Sequence, residues 1–185
     1  MTSFRFGIHL LAMVAAAALA TAQEPERRAP ALNPLVVESL APLLAGFIAF
    51  ARDAAKAQGV EAIPAPIRVA LTGYVPEEIL ARVRWREGST ELSVPQNVIR
   101  FGHVPAVTLD DVIVFQDRTA ALEDPKLWAH ELKHVMQFAE WGVGGFSTRY
   151  LRDYEAVESE AAEFRWQFMK RAGLVPEVPS TPTDG

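Results

Sequence analysis

The chain has 185 residues, of which 50% are hydrophobic and 22% charged, a composition typical of one globular domain with a well-buried core. The formal net charge of −5 and the lack of a basic block with interleaved aromatic residues argue against a nucleic-acid-binding protein. The sequence contains no cysteine, which excludes disulfides, thiolate metal sites and cysteine nucleophiles. Any metal must therefore be held by histidine, carboxylate or water.

Residues 1–22 have the features of a secretory signal peptide. Arg5 supplies a positive charge, residues 7–19 form an apolar run, and an A-x-A cleavage site ends at Ala22. The apolar run is short for a membrane span, and no later stretch is long and uncharged enough to be one. We therefore expect cleavage after Ala22, a periplasmic or secreted protein, and no transmembrane segment in the mature chain. The alternative is an uncleaved N-terminal anchor.

The rest of the chain divides into a lead-in, one domain and a tail. Residues 23–34 are polar and contain proline, and residues 174–185 are polar and Pro-rich, so both segments are predicted to be disordered. Residues 35–173 carry the periodic apolar patterns expected of a single folded domain.

The domain is predicted to begin with a helix over residues 35–58, with Gly59 as its stop signal. Pro42 should start a second helix or kink the first, because proline removes one intrahelical hydrogen bond. Apolar residues at helical spacing are predicted to face the core. They are Leu43, Leu44, Phe47, Ile48 and Ala51.

Short helical turns and strands are predicted for the middle of the domain. Residues 63–80 contain two turns, each entered through a proline at its first helical position. Residues 83–86 alternate apolar and charged side chains, as a half-buried strand does. Residues 106–109 and 112–115 are predicted to be two further strands, joined by a tight hairpin turn at the two aspartates between them.

The segment from His130 to His134 reads His-Glu-Leu-Lys-His and matches the H-E-x-x-H pattern of zinc metallopeptidases. Residues four apart lie on one face of a helix, so both histidines can bind the same ion. Glu131, one residue after His130, is turned from it by about 100° and can take a proton from a water that zinc has made more acidic. The alternative is an ordinary amphipathic helix with two surface histidines.

Both ends of the motif helix carry recognisable signals. Asp124 can cap its start, Pro125 fits its first turn, and Gly142 can close it. A second helix is predicted over residues 146–172.

A catalytic zinc site needs a third protein ligand, and four carboxylates lie on the second helix. At about 100° per residue, Glu155 and Glu163 fall far from the apolar stripe of this helix and should be solvated. Glu158 and Glu160 flank the stripe, so each remains a candidate ligand. The alternative is that all four carboxylates form a charged surface face.

The pairing of His-Glu-Leu-Lys-His with a later Glu-x-x-Ala helix resembles the zincin metallopeptidases, in particular the gluzincin-like branch whose third ligand is glutamate. Residues 129–137, A-H-E-L-K-H-V-M-Q, further resemble a bacterial metallopeptidase family with an A-H-E-L-x-H-V-x-Q signature. This resemblance covers roughly residues 60–170. It implies an α+β, zincin-like fold in which a small β-sheet packs on the H-E-x-x-H helix and on a C-terminal helix that carries a ligand.

The same resemblance implies that Zn²⁺ is bound by His130, His134 and Glu158. Many relatives keep aspartate where this chain has Ala162. We expect this departure to remove a hydrogen-bond partner from one of the two histidines, which affects the rate of hydrolysis more than metal binding.

Other groups near the motif are candidates for supporting roles. Hydrolysis needs a donor to the developing oxyanion, and Tyr154 is the first candidate because it is the nearest of these groups in sequence to Glu158. The other candidate donors are Tyr150, Arg149, Arg152 and His103. Gln137 lies one turn beyond His134 and either orients a ligand or caps the core. In zincins the strand before the motif helix forms the upper edge of the substrate cleft, which predicts that role for residues 112–115. The alternative is a plain core strand.

Together these features predict a zinc-dependent hydrolase, a metallopeptidase that cleaves a peptide or protein substrate outside the cytoplasm. Glu131 would act as general base, and Tyr154 would be the second catalytic residue. The alternative is a catalytically weak or inactive zincin-like module used for envelope binding or as a chaperone. The sequence indicates neither the cleavage specificity nor the oligomeric state.

Overall fold

A computed structural model of the protein describes residues 32–88 and 105–175. The predicted signal peptide, most of the lead-in and tail, and the candidate His103 lie outside the described residues. The described residues form six helices and four strands, in chain order α1 (Pro34–Ala57), β1 (Glu61–Ala62), α2 (Ala65–Leu71), α3 (Glu77–Arg82), β2 (Arg84–Glu87), β3 (Ala106–Leu109), β4 (Val112–Phe115), α4 (Arg118–Glu123), α5 (Pro125–Arg152) and α6 (Tyr154–Arg171). The predicted α+β class is confirmed.

The four strands form one mixed sheet in the order β1-β2-β4-β3. Strands β3 and β4 form the predicted antiparallel hairpin, in which Leu109 pairs with Val112. Asp110 in its turn has a φ of 60°, a left-handed conformation that aspartate tolerates. Strand β2 pairs with the other side of β4, in parallel. The prediction that residues 112–115 form the edge of a cleft is therefore wrong, because both sides of β4 are paired and β3 has the edge position in the described sheet.

All four residues of β4 are buried. Ile113 and Phe115 join one hydrophobic cluster, whereas Val112 and Val114 join a second. This alternation follows from the two-residue period of a strand, which sends successive side chains to opposite faces of the sheet. Strand β4 is thus the centre of the domain, with helices covering both of its faces.

An aromatic cluster fixes the start of α5 against the sheet. The ring of Trp128 lies 4.8 Å from that of Phe115 and 6.3 Å from that of Trp85, between centroids. The indole N–H of Trp128 donates to the carbonyl of Ala121 at 2.7 Å, so this fully buried side chain has no unsatisfied donor. Because Trp128 precedes the H-E-x-x-H motif by two residues, its burial determines which way the motif faces.

Helix α1 continues through Pro42 without a break, so the predicted start of a second helix there is wrong. Its most buried residues are Val37, Ala41, Ile48, Ala51 and Ala55. The predicted core face is right for Ile48 and Ala51 and wrong for Leu43, which is 55% exposed. The buried face is mainly alanine, which permits close packing but gives a weaker hydrophobic signal than leucine.

By length and composition alone α1 could also cross a membrane, so the expectation that no stretch after the signal peptide is long and uncharged enough is wrong. Apolar core helices meet the same criterion, and one face of α1 packs against the domain. The absence of a transmembrane segment from the mature chain stays a prediction.

The short helices and the C-terminal helices differ in detail from the predictions. The N-cap residues of α2 and α3 are prolines. Each helix therefore begins one residue after its proline, and not at the proline as predicted. The predicted helix over residues 146–172 is in fact divided at Asp153, whose side chain accepts a hydrogen bond from the backbone of Ala156 and caps α6. Asp124 caps α5 as predicted.

Gly142 ends the helical segment of α5 that carries the motif, as predicted, and a second helical segment follows it directly. The φ of 67° and ψ of 166° at this glycine are not helical, and the helix resumes beyond it as far as Arg152. Such a positive φ favours glycine. The bend brings Phe146 into edge contact with the ring of His134, at 6.1 Å between centroids, so the chain after Gly142 lies against the motif.

Candidate metal centre

Helices α5 and α6 bring the three predicted metal ligands together. The Nε2 atom of His130 lies 3.3 Å from Nε2 of His134 and 3.3 Å from Oε2 of Glu158. The Nε2 atom of His134 lies 3.5 Å from Oε1 of Glu158. When one donor atom is taken from each of these three residues, the three atoms all lie within 4.8 Å of one another.

The spacing of these donors fits a tetrahedral metal ion. Two donor atoms that are each about 2.0–2.2 Å from such an ion lie roughly 3.3–3.6 Å apart. The two Nε2 atoms, 3.3 Å apart, agree with this range, and each lies at such a distance from a different oxygen of Glu158, 3.3 Å for His130 and 3.5 Å for His134. Two imidazoles and a carboxylate suit zinc and also other first-row divalent ions. The group can therefore hold a divalent cation, while its donors alone do not select the metal.

Gln137 orients the imidazole of His134. The Gln137 amide nitrogen donates to the carbonyl of Val157 at 3.2 Å and to Oε2 of Glu160 at 3.0 Å, which fixes the orientation of the amide. Its oxygen, 2.8 Å from Nδ1 of His134, must then accept a hydrogen bond from that nitrogen. The proton on Nδ1 leaves the lone pair of Nε2 directed toward His130 and Glu158.

The electrostatics of the group favour a bound cation. Burial raises the pKa of Glu158, but hydrogen bonds from His130 and His134 outweigh this effect and lower the pKa to about 2. Burial likewise lowers the pKa of His134, but the hydrogen bond to Glu158 and the negative charge of Glu131 outweigh it and raise the pKa. A positive charge among these side chains is thus stabilised, whether a proton or a metal ion carries it.

Glu160 lies beside the metal centre and has a different set of partners. Its Oε2 atom accepts from Gln137 and lies 3.3 Å from Nζ of Lys133. These contacts lower the pKa of Glu160, the hydrogen bond from Gln137 being the largest cause. Of the two open candidates, Glu158 contacts the histidines and Glu160 braces Gln137. Glu163 is exposed as expected, whereas Glu155 is half-buried.

Glu131 is almost fully buried, with 4% of its surface exposed. Its Oε2 atom accepts a hydrogen bond from the hydroxyl of Thr108 on β3, at 2.7 Å. Sequence reasoning missed Thr108, although a polar residue inside an apolar strand just before the motif helix was a signal for it. Thr108 occupies one carboxylate oxygen and leaves the other for a further partner.

The two tyrosines differ in their relation to the metal centre. Tyr154 is 50% exposed and its ring contacts that of Tyr150, at 5.8 Å between centroids. Tyr150 is partly buried, and burial, followed by the negative charge of Glu158, raises its pKa. Of the other candidates, Arg149 lies over the ring of Trp141 and Arg152 is exposed.

The Nδ1 atom of His130 is buried without a hydrogen-bond partner in the described part of the chain. His134 has Gln137 as its partner, so the two imidazoles are supported unequally. Such an unpaired atom is consistent with the expected loss of a partner at Ala162. Loss of a partner of this kind typically lowers metal affinity or activity about 10–100-fold.

The fold and this site define an α+β protein with an H-E-x-x-H helix and a glutamate from a second helix. A family model described as the eCIS core domain, the core domain of extracellular contractile injection systems, matches residues 62–142. The chain is similar to this family from the first strand to the bend in α5, a stretch that contains the motif but not Glu158. No curated protein and no solved structure shows significant similarity to the chain.

Proposed function

We propose that the protein is a zinc-dependent metallopeptidase in which His130, His134 and Glu158 hold the metal. The observation that carries this proposal is the convergence of the three donors at separations of 3.3 to 3.5 Å. A surface pair of histidines would not need a buried glutamine to fix one ring, as Gln137 does here.

The chain's own residues would perform the proton transfers. When bound, zinc would supply a Lewis acid that acidifies water and polarises a peptide carbonyl. Glu131 would accept a proton from the attacking water and deliver it to the leaving amine. The hydroxyl of Thr108, which donates to Oε2 of Glu131, would hold this carboxylate in place during the transfer.

A tyrosine hydroxyl would stabilise the developing oxyanion. Tyr154 keeps this role as a candidate, but burial and charge favour its neighbour Tyr150. Burial, followed by the negative charge of Glu158, raises the pKa of Tyr150, so this hydroxyl is sheltered from water and lies near a proposed metal ligand. A donor in such a site is worth more than one in water. Tyr154, half exposed, would then contribute mainly by packing against the ring of Tyr150.

The test is a peptide-cleavage screen with and without chelator, using wild-type protein and Glu131→Gln. We expect Glu131→Gln to retain zinc and lose cleavage, because glutamine cannot accept the proton. His134→Ala should lose both the metal and the activity. Equal cleavage by wild type and Glu131→Gln would rule out this mechanism.

A second candidate function is a binding module with weak or no catalysis, acting in the cell envelope or with an extracellular contractile injection system. Two observations favour it: the missing partner of His130 Nδ1 and the similarity of residues 62–142 to the eCIS core domain. Stoichiometric zinc with no cleavage of any peptide in the screen would support this candidate. An extracellular setting would also agree with the predicted signal peptide.

A further inference from the structure

A cavity of about 840 Å³ lies between the N-terminal half of α5 and the helix α6. We call this cavity the trench. Its walls include Leu127 on α5 and Ala162, Trp166 and Met169 on α6. Its volume is in the range of about 300–1,000 Å³ that is usual for ligand pockets.

The trench begins one helical turn from the metal centre on both helices. Lys126, which lines it, precedes His130 by four residues, and Ala162 follows Glu158 by four. Residues at this spacing are neighbours on one helix face. The spacing along both helices thus places one end of the trench beside the metal centre, whose three ligands are not among the residues that line it.

The walls of the trench suit a large apolar side chain. Trp166 is 42% exposed, although the interior of a protein is the usual place for such a ring. Met169 adds a flexible thioether that adapts to different shapes. Ala162 is the small residue between these walls and the metal centre, so its lack of a longer side chain keeps the trench open at that end.

The rim of the trench carries two cations, Lys126 and Arg165, and two carboxylates, Asp124 and Glu163, so its net charge is zero. Lys126 and Arg165 form no ion pair with any described residue. The carboxylates at the rim already have donors, since Asp124 caps α5 and Glu163 accepts from Gln167 at 2.6 Å. A ligand with a carboxylate would therefore find free cationic partners here.

We propose that the trench binds a bulky apolar side chain of a peptide next to the bond to be cut, while Lys126 and Arg165 bind a carboxylate of the same peptide. The proposal names the substrate class of the metallopeptidase and rests on that function. Ala162 is the specificity-determining residue, because a larger side chain at this position would occupy the space that the ligand needs.

Binding can be measured without turnover on zinc-loaded Glu131→Gln protein with ¹³C-labelled methionine methyl groups. The probe is the peptide acetyl-Gly-Gly-Phe-Gly-Gly with a free C-terminal carboxylate, and the control peptide has glycine in place of phenylalanine. We expect the probe to shift the methyl signal of Met169, which lines the trench, and to leave that of Met136 unchanged. No shift of Met169, or equal shifts with both peptides, would overturn the proposal.

Matched variants locate the binding. Ala162→Leu should weaken binding of the phenylalanine peptide by at least about 10-fold, whereas Ala156→Leu, at an exposed position of the same helix, should not. Zinc content of both variants checks that the metal centre is intact. Equal affinity of the two variants would contradict the role of Ala162.

The charged rim has its own test. Amidation of the peptide's C-terminus should weaken its binding to Glu131→Gln protein. In the amidated peptide, glutamate in place of the last glycine should restore binding, because its side chain supplies a carboxylate. Replacement of Lys126 and Arg165 by alanine should abolish the difference between the acid and the amide. Acid and amide that bind equally would overturn the carboxylate part of the proposal. These experiments need no cleavage, so binding of the peptide to Glu131→Gln protein together with no cleavage by the wild type would leave the trench assigned and refute only the peptidase function.

Discussion

Replacement of Gln137 by methionine tests whether the buried amide sets the metal affinity. The substitution keeps the length of the side chain and removes its hydrogen bonds to His134, Val157 and Glu160. The Nδ1–H group of His134 would lose its partner in the core, at about 1–3 kcal/mol, whereas the carbonyl of Val157 keeps its intrahelical hydrogen bond in α6. We expect the free energy of unfolding to fall by about 1–3 kcal/mol.

The effect on zinc is separate from the effect on stability. Without Gln137 the imidazole of His134 can adopt the other tautomer, so its Nε2 lone pair is no longer fixed. Removal of such a partner typically costs about 10–100-fold in metal affinity, or about 1.4–2.8 kcal/mol. A competition titration against a chromophoric zinc chelator measures this change, and circular dichroism checks that the variant is folded.

Gln167→Met is the matched control, because Gln167 is exposed and its amide bonds only to Glu163 among the described contacts. We expect this variant to bind zinc as wild type does. A folded Gln137→Met protein with wild-type zinc affinity would refute the role assigned to Gln137.

Further predictions concern the bend, the tyrosines, Thr108 and the metal itself. Gly142→Ala should lower the free energy of unfolding by about 1–3 kcal/mol, because alanine is strained at a φ of 67° and a ψ of 166°; denaturant unfolding measures this, and an equal effect of Gly144→Ala would contradict the reason given. Tyr150→Phe should lower kcat about 10²–10³-fold, whereas Tyr154→Phe should change it little; the reverse order in steady-state kinetics would return the role to Tyr154. Thr108→Val should lower kcat and leave zinc content unchanged, and loss of zinc would show instead that Thr108 supports the metal. Zinc at 1,000 times its Kd stabilises a protein by about 4.1 kcal/mol, so a chelator should lower Tm by about 8–16 °C; an unchanged Tm would argue against a bound ion.

The part of the site that lies on a single helix could be predicted from the sequence. The four-residue spacing of His130 and His134 places them on one face whatever the rest of the fold does. Asp124 carried a clear capping signal for the start of that helix. The hairpin of β3 and β4 was equally clear, because two apolar runs flank a pair of aspartates.

Contacts between distant segments could not be predicted in the same way. The choice between Glu158 and Glu160 depends on how α6 rotates against α5, and both residues flank the same apolar stripe. The sequence marks the helix end at Gly142, but the direction in which the chain leaves that glycine, and with it the position of Tyr150, depends on tertiary packing. The edge strand was misassigned because the parallel pairing of β2 with β4 joins residues far apart in the chain, and no local pattern records it.

The central claim is that His130, His134 and Glu158 hold one metal ion. Its most direct test is the zinc content of Glu158→Gln and Glu160→Gln after equilibrium dialysis against limiting zinc. The two variants make the same change two residues apart, and glutamine at position 160 can still accept the hydrogen bond from Gln137. We predict one zinc per chain for wild type and for Glu160→Gln, and little or none for Glu158→Gln. Full zinc in Glu158→Gln, or none in wild type, would contradict the account.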